Sequence, residues 1–317
     1  MAAKRFQKRT YQIRAMSEPQ SETSSFEQAL CGIPNLRRFS HDAMAATFDI
    51  FIVHRDALYA EQAARAAFEE LDRIEANLSR FIENSDVSRI NALGSKHPLQ
   101  IGLSTFECLQ ISIEMSNQTH GAFDITFGSL HRGRNLLKLN EPEHTIELQK
   151  VGIRIDLGAV GKGYAVDKMG QVLGDWSIDA ALISAGQSSI LPIGTPAGMP
   201  GWPLTLSDPA DYSKLLVKMT LTGQALSASG IRKGLHIINP RSGKPVRSRL
   251  AAWATAKTAA AADALSTAFM VMPVNQVKAF CEANTDVSAL LILAGNKVTG
   301  QRILRFGRWD GTDFCCQ

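Results

Sequence analysis

The chain lacks the features that mark disulfide-stabilised, zinc-binding or membrane-spanning proteins. Its five cysteines form an odd, scattered set without Cys-x-x-Cys spacing, which argues against both a disulfide framework and a zinc site. No apolar run approaches the roughly 18 residues that a membrane-spanning helix needs, and the basic N-terminal segment has no apolar stretch of the kind found in secretory signals. We therefore expect a cytoplasmic protein without a membrane span; a periplasmic or membrane-associated location is the alternative.

A large excess of charge of one sign is also missing. The 34 basic and 30 acidic residues give a net charge of +4, and five of the basic residues fall within the first fourteen. No basic stripe with interleaved aromatic residues is present, so nucleic acid is not an expected partner. Hydrophobic residues make up 45% of the chain and charged residues 20%, which is the balance of an ordinary globular protein that can bury a sizeable core.

The order of predicted elements indicates the fold class. Residues 1–34 are polar and rich in Ser, Glu and Gln, so we predict a flexible tail; a basic arm that docks on a partner is the alternative. Residues 35–317 are predicted to form one domain. Its strands and helices alternate irregularly and include apparent hairpins, which favours an α+β fold, a single layered domain of mixed sheets and helices, over a doubly wound parallel sheet.

The periodicity of apolar residues predicts the individual elements. The predicted strands are Ala46–Val53, Ile153–Leu157, Ala180–Ser184, Leu215–Leu221, Ala252–Lys257 and Ser288–Leu293, the last continued by a hairpin around Gly295-Asn296 to Lys297–Thr299. The predicted helices are Leu58–Phe81, Gly161–Leu173, Ala259–Met272 and Asn275–Ala283. A further helix is predicted to start with a capping box of Ser104 and Glu107 and to stop near Gly121.

Residues 262–267 place a carboxylate and a hydroxyl one helical turn apart. If this segment is helical, Asp263 and Thr267 share one face of the helix, and their oxygens suit Mg²⁺, which also keeps open positions for water and a substrate phosphate. Pairs with this spacing are common on helix surfaces, so a simple surface pair is the alternative. The remainder of the helix is almost wholly apolar, and a carboxylate there is costly to bury unless paired or metal-bound. The residues alone leave both interpretations open.

Residues 156–164, Asp-Leu-Gly-Ala-Val-Gly-Lys-Gly-Tyr, form a glycine-rich turn between a predicted strand and a predicted helix. Backbone amides at the start of such a helix can bind a phosphate group, with Lys162 adding a positive charge. The glycine spacing matches neither the dinucleotide fingerprint nor the Walker motif. A structural turn with a solvated lysine therefore stays open as the alternative.

Three further residues have a functional and a structural interpretation. His236 lies on a predicted strand that ends in a Pro-Gly turn; it is either a proton acceptor or a core histidine with a satisfied hydrogen bond. Asp124 either takes part in binding or closes a turn. Phe81 is predicted to be a core residue from the helical period, although an aromatic residue at a helix end can also stack on a planar ring.

Seven segments, in this order, resemble the FAD:protein FMN transferase family, also called the ApbE family. They are Met44-Ala45-Ala46-Thr47-Phe48, Leu78-Ser79-Arg80-Phe81 with residues 85–91, Gly121-Ala122-Phe123-Asp124-Ile125-Thr126, residues 156–167, Ser229-Gly230, residues 236–243 with Pro245, and residues 262–268. The resemblance spans roughly residues 44–272. No single segment is diagnostic, but the seven in the family's order are specific.

The resemblance implies an α+β domain that binds FAD and Mg²⁺ and transfers FMN from FAD to a threonine hydroxyl of an acceptor protein, releasing AMP. It implies three metal ligands: the side chains of Asp263 and Thr267 and the backbone carbonyl of Ala159. His236 corresponds to a family histidine that we expect to deprotonate the acceptor, with Asp263 as the second catalytic residue. The positions that correspond to the family's FAD site are Met44, Phe81, Ala122, Phe123, Asp124, Asp156, Lys162 and Ile238.

The chain departs from the family pattern at four places. Residues 44–47 read Met-Ala-Ala-Thr instead of Met-Gly-Thr, and residues 186–189 read Gly-Gln-Ser-Ser instead of a Gly-Gly-Asp/Asn element. Asn239 replaces an aspartate, and the stretch between Thr126 and Asp156 is shorter than usual. The metal pair is retained. Two alternatives to transfer stay open: an FAD pyrophosphatase that gives FMN and AMP, and a family member that binds FAD without chemistry.

Overall fold

A nine-stranded antiparallel sheet forms the centre of the protein. The computed structural model describes residues 12–15, 29–93, 97–126, 129, 133–186, 188–232, 234–295 and 302–315. The strands of the large sheet are β1 (Gln12–Ala15), β2 (Leu36–Ala43), β3 (Ala46–Val53), β7 (Ala181–Ala185), β8 (Ser189–Ile193), β11 (Ala225–Gly230), β12 (Arg249–Ala256), β13 (Ser288–Leu293) and β14 (Arg302–Phe306). They lie side by side in this order, and each neighbouring pair is antiparallel.

Two small sheets and six helices complete the described part of the chain. One sheet has the order β4-β6-β5 and the other β15-β10-β9. Their strands are β4 (Leu99–Gln100), β5 (Leu137–Asn140), β6 (Thr145–Leu148), β9 (Trp202–Asp208), β10 (Asp211–Leu221) and β15 (Thr312–Phe314). The helices are α1 (Ala57–Leu78), α2 (Asp86–Asn91), α3 (Leu103–Gln118), α4 (Gly161–Asp175), α5 (Ala259–Val271) and α6 (Val274–Ala283), with a 3₁₀ turn at Arg134–Leu136. Within the described residues, no helix combines the length and apolarity needed to cross a membrane.

The large sheet is covered on both faces, which makes the domain three-layered. Successive residues of β3 alternate between the faces: Phe48 and Ile50 belong to the core under the helices, whereas Phe51 belongs to a second core shared with β9 and β10. Because both faces are buried, β3 is an almost continuous apolar run rather than an alternating one. The predicted α+β layered class is therefore confirmed.

Helices α4 and α5 meet at their N-terminal ends. A side chain at Gly163 would overlap the backbone of Ala259 and Ala260, so only glycine permits this approach. Asp167 of α4 accepts hydrogen bonds from the N–H groups of Ala259 at 2.7 Å and Ala260 at 2.8 Å, which satisfies two of the unpaired donors at the start of α5. The contact fixes the position of α5 relative to α4.

Most predicted elements are present, with end positions shifted by a few residues. Strand Ala46–Val53 is confirmed, as are the strands and helices predicted near residues 180, 215, 252, 259, 275 and 288. Helix α1 ends at Leu78 rather than Phe81, with Ser79 as its C-cap. The proposed capping box is wrong, because the N-cap of α3 is Gly102. The predicted hairpin at 295–299 lies largely outside the described residues.

Two predicted strands are wrong. Residues 153–157 run extended without a strand partner, because the side-chain amide of Asn91 pairs with the backbone of Ile155, donating to its carbonyl at 2.9 Å and accepting from its N–H at 2.7 Å. Residues 236–239 form only a single bridge, between Ile238 and Pro245. Apolar alternation also occurs in half-buried loops, so the pattern overpredicts strands.

The described residues of segment 1–34 include contacts with the rest of the domain. Residues 12–15 form β1, which pairs with β2, and the side chain of Leu30 is fully buried against the second core. Ile33 packs against the same core. The flexible tail at residues 1–34 stays a prediction, because most of this segment lies outside the described residues.

We expect G163A to be less stable than the wild type, because the new methyl group overlaps the backbone of Ala259. Overpacking of this kind typically costs about 1–3 kcal/mol. G174A is the matched control: Gly174 lies in the same helix with open space around it, and alanine should raise the free energy of unfolding by about 0.5–1 kcal/mol. Urea denaturation measures both; equal effects would contradict the packing described here.

Candidate active site

Asp263 is a buried carboxylate at the meeting point of α4 and α5. The residue is 2% exposed, and its Oδ2 accepts a hydrogen bond from the Gly163 N–H at 3.1 Å. Burial raises the pKa of this carboxyl; the positive charge of Lys162 and the Gly163 N–H act in the opposite direction. A carboxylate held in this way attracts a cation, since one hydrogen bond and one nearby lysine only partly offset its desolvation.

Thr267 lies one turn, about 6 Å, further along α5, within a group of hydroxyls. The Ser229 hydroxyl, at the end of β11, is 2.8 Å from the Ser266 hydroxyl and 2.9 Å from the Thr267 hydroxyl. Ser266 also donates to the carbonyl of Asp263 at 2.9 Å. These bonds fix the Thr267 side chain on the same face of α5 as Asp263.

The glycine-rich turn folds tightly against the start of α4. Asp156 Oδ1 accepts from the Gly158 N–H at 2.9 Å, and the Lys162 ammonium donates to the Gly158 carbonyl at 3.2 Å. Ala159, half-buried, lies between these two contacts. The turn thus brings the carbonyl of Ala159, the ammonium of Lys162 and the first amides of α4 to one end of that helix.

Met44 covers the start of α4 from a strained turn. Met44 and Ala45 both have positive φ angles, 51° and 58°, in the two-residue connection between β2 and β3, where glycine or asparagine is usual. Glu75 Oε1 accepts from the Met44 N–H at 2.7 Å. A side chain on Gly161 would lie 3.3 Å from the Met44 methyl carbon, so the methionine packs directly on the helix start.

Phe81 is a surface residue, contrary to its predicted place in the core. It is 83% exposed, because α1 ends three residues earlier. The guanidinium of Arg80 lies 4.7 Å from its ring centroid, and Arg80 also approaches Asp156 Oδ2 at 3.3 Å. Arg80 therefore links the exposed Phe81 ring to Asp156 of the glycine-rich turn, and the ring is free to stack on a planar ligand.

The segment 121–126 borders the same turn. Asp124 Oδ1 accepts from both the N–H and the hydroxyl of Thr126, at 2.8 and 2.7 Å, so its carboxylate closes a local turn. The carbonyl of Ile125 accepts from the Asp156 N–H at 2.9 Å. Ala122 and Phe123 are buried in the core, so their side chains offer little surface for a ligand to contact.

His236 lies on the connection between β11 and β12, residues 231–248. It is exposed, so the alternative of a core histidine is wrong. Its Nδ1 is 2.9 Å from the Gly234 carbonyl; because a carbonyl cannot donate, Nδ1 carries the proton and a neutral ring keeps Nε2 free to accept one. Arg241 donates to the His120 carbonyl at 3.0 Å, which holds this connection beside segment 121–126.

The structure therefore brings most of the predicted residues together around the glycine-rich turn. Hydrogen bonds or packing contacts link that turn to Asp263, Met44, Arg80 beside Phe81, and segment 121–126. Among the described residues, no hydrogen bond or ion pair joins His236 or Ile238 to Asp263. Their loop is connected to the site through Ser229, just before its start, and through Arg241 at its tip.

Three residues that sequence reasoning did not select shape the site: Glu75, Ser229 and Ser266. Ser229 was noted only as part of a Ser-Gly pair, and its contact with Thr267 spans 38 positions in the chain. Glu75 lies on α1 and meets Met44 across 31 positions. Local spacing cannot reveal such contacts, although a glutamate on the inner side of an amphipathic helix is a usable signal.

The oxygens around Asp263 fit a hard divalent cation. One carboxylate, the Thr267 hydroxyl and the Ala159 carbonyl are the oxygen types that Mg²⁺ accepts, and Mg²⁺ commonly completes its shell with water and substrate phosphate. Throughout the described ranges, no three His, Cys, Asp or Glu side chains cluster in a way that could hold a metal. A cation here would therefore depend on the hydroxyl, the carbonyl and the substrate as well as on Asp263.

The fold and this site define an α+β protein in which a buried carboxylate meets the start of a helix. The chain belongs to the ApbE family, whose sequence profile matches residues 44–291. A curated relative from Klebsiella pneumoniae, named FAD:protein FMN transferase, is 26% identical over 71% of this chain and 75% of its own length. A Vibrio cholerae protein with the same name is 23% identical over 80% and 86%.

Solved structures of the family share the fold. The ApbE protein of Thermotoga maritima superposes with a TM-score of 0.76, covering 86% of this chain and 97% of its own, at 23% identity. The flavin transferase ApbE of Vibrio cholerae gives 0.75, with 85% and 96% covered, at 20% identity. At these identities the likeness establishes the architecture alone.

We expect the Asp167 cap to make stability depend on pH. Burial raises the pKa of Asp167 from 3.8 to about 6, so the folded state binds this proton more tightly than the unfolded chain. The stabilisation is complete below pH 3.8 and is lost as the pH rises through 6. Relative to D167N, the free energy of unfolding of the wild type should fall by about 3 kcal/mol across that range. If the free energy of unfolding of the wild type relative to D167N rises with pH instead, the folded state favours the ionised form of Asp167.

Proposed function

We propose that this protein transfers FMN from FAD to a threonine hydroxyl of an acceptor protein, with AMP as the leaving group. The observation that carries the proposal is the buried Asp263 carboxylate, hydrogen-bonded to the start of α4 and one turn from Thr267. Family membership and the names of the curated relatives support the same reaction.

The chemistry is a displacement at phosphorus. The acceptor oxygen bonds to the phosphorus of the FMN half while the bond from that phosphorus to the bridging oxygen breaks, and AMP departs with the bonding electrons. The acceptor proton must leave as its oxygen attacks. His236, with Nδ1–H engaged by Gly234, presents Nε2 as the base for that proton.

The start of α4 supplies the site for the diphosphate. The dipole of α4 favours negative charge at this end of the helix, and Lys162 adds a full positive charge there. Mg²⁺, held by Asp263, Thr267 and the Ala159 carbonyl, would neutralise further charge on the diphosphate oxygens and make AMP a better leaving group. The Ser229 hydroxyl keeps Thr267 oriented for this role.

The planar rings of FAD need apolar contacts, which two residues provide. Phe81 exposes its ring beside the glycine-rich turn, and Met44 offers a flexible thioether over Gly161. Aromatic stacking and sulfur–aromatic contacts each stabilise such complexes by about 1 kcal/mol. Segment 121–126 and Ile238 complete the proposed lining.

Synthetic peptides that contain one threonine, and matched peptides with alanine in its place, test the reaction directly. Incubation with FAD and MgCl₂ should yield AMP and a threonine peptide heavier by FMN and fluorescent under ultraviolet light, with the alanine peptide unchanged. FMN and AMP in equal amounts, independent of peptide, would identify the pyrophosphatase alternative. FAD that stays bound and intact would identify a binding protein without this chemistry.

We expect D263N to lose transfer by at least about 10³-fold, because the substitution removes the charge that holds the cation. T267V should raise the Mg²⁺ concentration needed for half-maximal rate, with a smaller loss at saturating metal. D175N is the matched control, since Asp175 ends α4 away from the glycine-rich turn. Wild-type turnover by D263N in metal-supplemented buffer would contradict the assignment.

We expect H236Q to lower kcat for transfer by about 10²–10⁴-fold, the usual contribution of a general base. The Kd for FAD should remain within about twofold of the wild type, because the ring is assigned to the acceptor and not to FAD. The control H54Q changes a half-buried histidine far from the proposed base in sequence, which contacts Asp56 at the start of α1. A large loss of FAD affinity in H236Q, without loss of kcat, would assign the ring to FAD binding instead.

A further inference from the structure

The β11–β12 connection, residues 231–248, concentrates positive charge beside the candidate site. It contains five cations and no carboxylate, whereas the whole chain has a net charge of only +4. The cations are Arg232, Lys233, Arg241, Lys244 and Arg247. No aspartate or glutamate occurs anywhere between Asp211 and Asp263, so the segment has no counter-charge from its own neighbours in sequence.

The connection is a hairpin with an exposed tip and with Ile237 and Val246 buried in the core. The N–H of Asn239 donates to the Lys244 carbonyl, and the N–H of Val246 donates to the Ile237 carbonyl, both at 2.9 Å. Arg241, Lys244 and Arg247 are exposed. Within the described part of the chain, neither Lys244 nor Arg247 forms an ion pair. The charges of Lys244 and Arg247 therefore face solvent and are available to an external partner.

The start and the tip of the connection are attached to the candidate site. It begins two residues after Ser229, whose hydroxyl contacts Thr267, and its tip is held to the His120 carbonyl by Arg241, next to segment 121–126. It also carries His236. The positive surface consequently borders the place where the proposed reaction accepts its second substrate.

We propose that the exposed cations Arg241, Lys244 and Arg247 of this connection dock the acceptor protein, by way of acidic residues that flank its target hydroxyl. This inference rests on the proposed function and names the kind of partner it uses. FAD itself does not account for the charge, because its diphosphate is matched by the start of α4, Lys162 and the cation at Asp263. Exposed charges such as those of Lys244 and Arg247 act mainly by steering a large, oppositely charged partner into register.

Three labelled peptides of equal length, each with one threonine flanked by Asp, Asn or Lys, test the inference. At low salt the wild type should use the Asp peptide about tenfold more efficiently than the Lys peptide, measured as kcat/KM for FMN transfer. The preference should shrink to about twofold or less at high salt, because exposed charges are screened.

The variant K244E/R247E should reverse the preference and leave the Kd for FAD within about twofold of the wild type. The control K150E/K218E makes the same change in net charge at two exposed lysines outside this connection and should behave as the wild type. Peptide binding followed by fluorescence anisotropy, which needs no turnover, gives the docking result separately from the reaction.

Several results would overturn the inference. Equal binding of the three peptides by the wild type would contradict it. If K244E/R247E loses FAD affinity by the same factor as it loses transfer, the two cations bind FAD and not the acceptor. Binding to phosphatidylserine vesicles that the Asp peptide fails to displace would assign the surface to a membrane. If no peptide receives FMN yet the Asp peptide binds selectively, the docking surface stands and the transfer reaction fails.

Discussion

The hydrogen bond from the Gly163 N–H to the Asp263 carboxylate joins the two helices around which the site is built. It depends on a glycine, because a side chain at residue 163 would overlap the first residues of α5. Asp167 strengthens the same junction by capping α5. The result is a carboxylate buried beside the positive end of α4, an arrangement that is unfavourable alone and becomes favourable when a cation and an anionic ligand are both bound.

This arrangement explains why the surrounding residues have the roles we assign. Helix α5 sets Thr267 one turn from Asp263, and Ser229 orients its hydroxyl. The glycine-rich turn brings Lys162 and the Ala159 carbonyl to the same end of α4. Met44, held by Glu75 in a backbone conformation unusual for methionine, covers the helix start; strain of this kind persists where surrounding contacts enforce it, often at functional sites.

Sequence reasoning predicted those parts of the fold that depend on local periodicity. The strand Ala46–Val53 and the helices α4 and α5 were predicted because long apolar patterns report burial directly. Residues 153–157 alternate apolar and polar residues but have no strand partner, since the side chain of Asn91 pairs with the backbone of Ile155 and that of Ser129 with the backbone of Arg154. Phe81 was assigned to the core by extending a helical period past Ser79, although the helix had already ended. The contact of Ser229 with Thr267 connects residues 38 positions apart, and local spacing does not reveal it.

The central claim is that a divalent cation binds between α4 and α5 against the diphosphate of FAD. The most direct measurement is anomalous diffraction from crystals grown with Mn²⁺, as a stand-in for Mg²⁺, and FAD. The account predicts one strong peak within about 2.5 Å of side-chain oxygens of both Asp263 and Thr267, in contact with the diphosphate. A fully occupied FAD with no metal at these oxygens, or with its diphosphate away from the start of α4, would contradict it.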